Sequence, residues 1–181
     1  MPREVNLIDP APIPGSYWLI EGMFLAGEYP AASHETASRK KLSKFLDAGI
    51  RTFIDLTEED EPLDRYDDLL HTLAADRGID IKHVRYAVQD MGLPHERDHM
   101  RHILATIREE IDAGSPVYVH CRGGIGRTGT VIGCWLVESG LAGKAAIEKI
   151  AALRAKLFGG RQRSPETDAQ CRYIHDWAAA E

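Results

Sequence analysis

An α/β fold, with a central and mostly parallel sheet flanked by helices, is predicted by three features of this sequence. Short apolar runs with β-branched residues, such as "RTFIDL" and "PVYVH", alternate with longer segments of helical periodicity. Glycines at 49, 78 and 114 close three of those helical segments. The 181 residues, 44% apolar and 28% charged, suit one compact domain spanning 1–181 with an ordinary core.

Four prolines among the first 14 residues favour an extended arm over residues 1–15. "SYWLIEGMFLAGEYP" then reads as two short paired strands turning near Gly22. "SHETASRKKLSKFLDAG" reads as a helix with Ser33 as its N-cap, Leu42, Phe45 and Leu46 on one face, and Gly49 as its stop. "RTFIDL" is a strand, followed by an acidic loop and the helix "DRYDDLLHTLAADRG". "DIKHVRYA" alternates as a strand. After the loop "VQDMGLPHE", Met100, Ile103, Leu104, Ile107 and Ile111 form one apolar helical stripe. "PVYVH" is a central strand, and a Gly-rich turn opens the helix "RTGTVIGCWLVESG". Two more helices are predicted, "LAGKAAIEKIAALRAKLFG" and "SPETDAQCRYIHDWAAA", the last with Ser164 as N-cap and Pro165 at its first position.

The net charge of −6 argues against a nucleic-acid partner, which would call for a basic face. No apolar run has the length of a membrane span, and the start lacks the apolar stretch of a signal peptide. Three widely separated cysteines, 121, 134 and 171, suggest neither a disulfide framework nor a metal site, which fits a reducing cytoplasm.

The stretch "VYVHCRGGIGRTG" has two readings. Its glycines spell G-x-G-x-x-G, but a dinucleotide site needs a second strand ending in an acidic residue about twenty positions on. Everything after residue 129 reads as helix, and Arg127 stands where a Walker loop needs lysine. The other reading makes Cys121 a nucleophile between a strand end and a helix N-terminus, where unpaired amides and the helix dipole favour the thiolate. The amides of Arg122, Gly123, Gly124, Ile125, Gly126 and Arg127 would form a nest for phosphoryl oxygens, the glycines letting the backbone curl. The Arg127 fork would bind two of those oxygens.

"HCRGGIGRTG" resembles the H-C-x-x-G-x-x-R-[ST]-G signature of the protein tyrosine phosphatase superfamily, filled by His120, Cys121, Gly124, Arg127, Thr128 and Gly129. The short chain is similar to the dual-specificity branch, which implies a cysteine-phosphatase-like fold. The resemblance implies a two-step reaction in which Cys121 forms a phosphocysteine, Asp90 of "VQDMGLP" protonates the leaving oxygen and then activates water, and Thr128 assists the thiolate. His120 would orient the loop. No metal or other cofactor is required. The expected partners are a phosphorylated protein or a small phosphomonoester, phosphotyrosine first and phosphoserine or phosphothreonine besides. The alternatives are an inositol phosphate or phosphoinositide phosphatase, disfavoured by a loop without lysines, and a phospho-binding module that no longer turns over.

Several residues carry plainer readings. Cys134 and Cys171 read as packing thiols. Asp98 and His95 are reserve proton donors. Arg161 and Arg163 lie in a loop that could overhang the pocket, and Glu166 or Gln170 could stand where tyrosine-specific relatives carry a water-positioning glutamine.

Overall fold

A computed structural model describes residues 11–157 and 160–177. The elements run β1 (Ser16–Ile20), β2 (Phe24–Gly27), α1 (Glu35–Asp47), β3 (Thr52–Asp55), α2 (Asp67–Ala75), β4 (Lys82–Arg85), α3 (Arg97–Asp112), β5 (Val117–His120), α4 (Gly126–Glu138), α5 (Gly143–Arg154) and α6 (Asp168–Trp177). The five strands form one sheet in the order β1-β2-β5-β3-β4, with β1 antiparallel to β2 and every other pairing parallel.

Alternation along the strands sends side chains to two cores. Leu25, Phe53 and Tyr118 meet Leu42, Phe45 and Leu70 of α1 and α2 on one face. Phe24, Ile54, Val117 and Val119 meet Met100, Ile103, Ile132 and Ile150 on the other, beneath the remaining helices. Strand β5 is buried at all four positions and lies between β2 and β3. Its register sets His120 beside both Gly27 and Asp55, so three strand ends converge where Cys121 begins. Ligands of open α/β sheets bind at such carboxyl ends.

Two helix starts differ from the sequence expectation. Helix α1 begins after His34 rather than Ser33, and neither serves as a side-chain cap; Ser38 instead bonds both the amide and the carbonyl of Ala32 at 2.9 Å. Helix α6 begins at Asp168 rather than at Pro165, and the Ser164 hydroxyl donates to Ile125 O instead of capping the helix. Its first turn is closed by a capping box: the Gln170 amide donates to Thr167 Oγ1 at 3.2 Å, and the Thr167 amide donates to Gln170 Oε1 at 3.1 Å. The glycine stops hold, with Gly49, Gly78 and Gly114 all at positive φ. Residues 1–10 of the expected arm, residues 158–159 of the fifth helical segment and residues 178–180 of the last lie outside the described residues. Of the arm, Ile13 is buried in the core beside Leu25 and Tyr29.

Candidate active site

The loop after β5 is shaped by what holds its carbonyls. Cys121 O faces His120 Nδ1 at 3.3 Å, Arg122 O accepts from the Tyr29 amide at 3.0 Å, and Gly124 O accepts from Arg154 Nη1 at 2.6 Å. Ile125 O accepts from Ser164 Oγ at 2.7 Å, and Gly126 O accepts from Thr130 Oγ1 at 2.8 Å. In a trans peptide the N–H points opposite to the C=O, so each engaged carbonyl turns the following amide the other way. The amides so turned belong to residues 122, 123, 125, 126 and 127. These residues, with Cys121, Asp90 and Glu166, line a cavity of about 210 Å³. Among the described residues, none of the amides of 122–128 has a protein acceptor. The loop and the first turn of α4 therefore present a ring of unpaired donors around the Cys121 thiol, which is only 3% exposed.

Gly124 does not line the cavity, unlike the other loop residues grouped with it by sequence position. It has φ +65°, and a Cβ there would lie 2.4 Å from the Gly27 backbone, so it sets the curl of the loop against β2. Gly129 makes room for Ser164, whose Oγ would be 2.4 Å from a Cβ at 129.

Arg127 is 2% exposed and held by two other loops. Both terminal nitrogens pair with the Glu61 carboxylate, Nη1 with Oε1 and Nη2 with Oε2 at 3.2 Å. Nη1 also donates to Val88 O and Nη2 to Asp90 Oδ1, each at 3.0 Å. The Nε–H has no acceptor among the described residues. Burial alone would raise the Glu61 carboxyl, but hydrogen bonds from Arg127 and the Glu58 amide outweigh it and hold the group below the ordinary glutamate range. Glu61 was missed by sequence reasoning, since it is one of four carboxylates in "TEEDEP" with no spacing to single it out.

Asp90 stands at the mouth, its side chain 54% exposed. Its Oδ1 also accepts the Met91 amide at 3.0 Å, in a turn where Met91 has φ +58°. Gln170 Nε2 donates to Gly92 O at 2.9 Å, tying this turn to α6. Gln170 thus serves the backbone of two segments, and Glu166 is the member of that pair that lines the cavity.

Beneath the loop, His120 is fully buried among the Tyr29, Tyr66 and Tyr118 rings. Tyr66 O–H meets His120 Nε2 at 2.6 Å. Burial pushes the His120 ring down to about 4, against the pull of Asp55 Oδ1 at 4.0 Å, so at neutral pH Nδ1–H donates to Cys121 O and Nε2 accepts from Tyr66. For Asp55 itself, burial is outweighed by His83, His120 and the Thr57 hydrogen bonds, and the carboxyl stays well below the usual range.

Thr128 is fully buried, but its hydroxyl makes no hydrogen bond, so the expected contact with Cys121 is absent from this structure. Asp98 pairs with Arg101 at 2.6 Å on α3, and neither it nor His95 lines the cavity. Arg163 pairs with Asp168 at 2.5 Å and meets Cys171 Sγ at 3.3 Å; it and Arg161 also lie off the cavity. Cys134 is fully buried, which pushes its thiol far up, as suits packing. Among the described residues no helix is long and apolar enough to cross a membrane.

A family model described as Tc-R-P, polymorphic toxin system, DSP-PTPase phosphatase, matches residues 28–141. The protein of Invertebrate iridescent virus 3 named as a tyrosine phosphatase, 067L, is 33% identical over 102 residues, 55% of this chain and 39% of that protein. The chain thus spans about two fifths of that relative, and its match to the mouse (Mus musculus) receptor-type tyrosine-protein phosphatase C covers 12% of that protein at 26% identity and 78% of this chain. Among solved structures, kinase-associated phosphatase superposes with a TM-score of 0.68 at 20% identity, covering 87% of this chain and 88% of that one.

Proposed function

The chain belongs to the DSP-PTPase phosphatase family of polymorphic toxin systems, and from that premise we propose that it hydrolyses phosphomonoesters, phosphotyrosine foremost, through a phosphocysteine intermediate. The observation that carries the reading is the set of outward-bonded carbonyls, which leaves inward amides where a phosphoryl group's three equatorial oxygens would sit. The Cys121 sulfur attacks phosphorus in line as the bond to the leaving oxygen breaks, and Asp90 gives that oxygen its proton. Water then attacks the phosphocysteine, Asp90 takes the water's proton, and phosphate leaves with the thiolate restored. Arg127 would meet the substrate with its Nε–Nη2 edge, Asp90 giving up its place on Nη2 as the phosphate enters. The deep burial of Cys121 suits a long aryl phosphate better than a short phosphoserine.

With a small aryl phosphate, Cys121→Ser is expected to abolish phosphate release. Undiminished turnover in that variant would refute the nucleophile. A phosphopeptide panel run beside inositol phosphates separates the protein-directed reading from the inositol-directed one.

A further inference from the structure

Two more cavities, of about 260 and 540 Å³, lead away from the phosphate cavity. Arg122 lines the phosphate cavity and the first of them, while Ala32, Ser33 and Asp64 line both the first and the second. The three form one trough, running from Cys121 past the β2–α1 loop to the facing sides of α1 and α2. Its near part carries the apolar Tyr29, Ala31, Pro62 and Leu63 between Arg122 at one end and Asp64 at the other. The Ser38 clip on Ala32 makes one wall a fixed feature.

The trough has a residual charge. Glu35 pairs with Arg39 at 3.1 Å, and Arg65 pairs with Glu59 at 3.0 Å and with Asp67 at 2.8 Å. Asp64 and Asp68, both exposed and both lining the outer part, have no cationic partner among the described residues. Arg122 is the one unpaired cation along the walls, among the described residues, and it sits at the catalytic end. A polyphosphorylated inositol would bring several anions against Asp64, Asp68, Asp90 and Glu166. An extended polypeptide would lay its apolar residues on the near part and a cation at the far one.

We propose that this trough seats the polypeptide that flanks the phosphorylated residue, with a basic side chain of the substrate held between Asp64 and Asp68. The proposal rests on the phosphatase reading of the same site and names its substrate class.

The test uses phosphotyrosine peptides of one length carrying Arg, Ala or Glu two to four residues to either side of the phosphotyrosine. Values of kcat/KM are measured with the full chain and Kd with its Cys121→Ser variant. Arg peptides are expected to exceed Glu peptides on the order of fivefold in both measurements. Asp64→Lys with Asp68→Lys should invert that order, and Asp64→Asn should shrink it. Equal values for the three peptides, an order unmoved by the charge swap, or phosphoinositide vesicles turned over more efficiently than the best peptide would each overturn the proposal. A small aryl phosphate, which reaches only the inner cavity, tests the catalytic reading separately. If its hydrolysis does not depend on Cys121 that reading falls, and peptide binding to the Cys121→Ser variant still decides the trough.

Discussion

A guanidinium has more than one edge to offer, and in this site Glu61 already occupies the outer one. Arg127 is therefore aimed before substrate arrives. Replacing Glu61 with Gln keeps the shape but removes the charge that fixes the aim, and kcat/KM on an aryl phosphate is expected to fall about tenfold, or about 1.4 kcal/mol. Asp90→Asn should leave good leaving groups little affected and slow poor ones by about 10²-fold, read as a steeper dependence of kcat on leaving-group pKa. Cys121 and Arg127 were legible in the sequence because the proposed nucleophile and phosphate fork bracket one short Gly-rich loop, and Asp90, the proposed proton donor, because "DMGLP" resembles the acid loop of the superfamily. Glu61 acts across 66 residues, a distance that only the pairing of β3 with β5 closes.

The loop owes its shape to peptide planes held from the outside by α4, α5, the β2 end and the segment before α6. Gly124→Ala would force a Cβ into the Gly27 backbone and a side chain into positive φ, so a loss of roughly 3 kcal/mol or more is expected in denaturant unfolding. Gln170→Ala removes both the α6 capping box and the tether on the Asp90 turn. Its expected signature is a stability loss of about 1 kcal/mol together with slower turnover of poor leaving groups, whereas a cap alone would change only the first. Helix periods and glycine stops were readable without coordinates. The start of α6 was missed because Ser164 and Pro165 imitate a cap and first turn, while the real signal lay three residues on, in "TDAQ", with Thr and Gln at capping-box spacing.

For the molecule as a whole, two buried groups set the response to acid. His120 has a folded value near 4 against about 6.5 when unfolded, so between those values the unfolded chain binds a proton that the native one does not. Stability should therefore fall as pH drops from about 6.5 to 4, by on the order of 3 kcal/mol. Asp55 acts lower: its depressed carboxyl stabilises the fold above about 3.9, and that contribution is lost as the pH falls below this value. Urea midpoints measured across this range, with His120→Asn as the comparison, check the account, since the variant should flatten the upper part of the slope. The sheet order and the depth of this polar layer were not legible beforehand, because Asp55 and His83 read as ordinary strand residues until the parallel register sets Asp55 beside His120 and His83 reaches Asp55 from β4 at 3.5 Å.

The anchors of Gly124 and Ile125, namely Arg154 and Ser164, both come after residue 141, where the family match stops. A fragment cut at that boundary would keep every letter of the signature and lose the scaffolding that gives those letters their conformation. The smallest unit that keeps this loop in shape has to extend past Ser164.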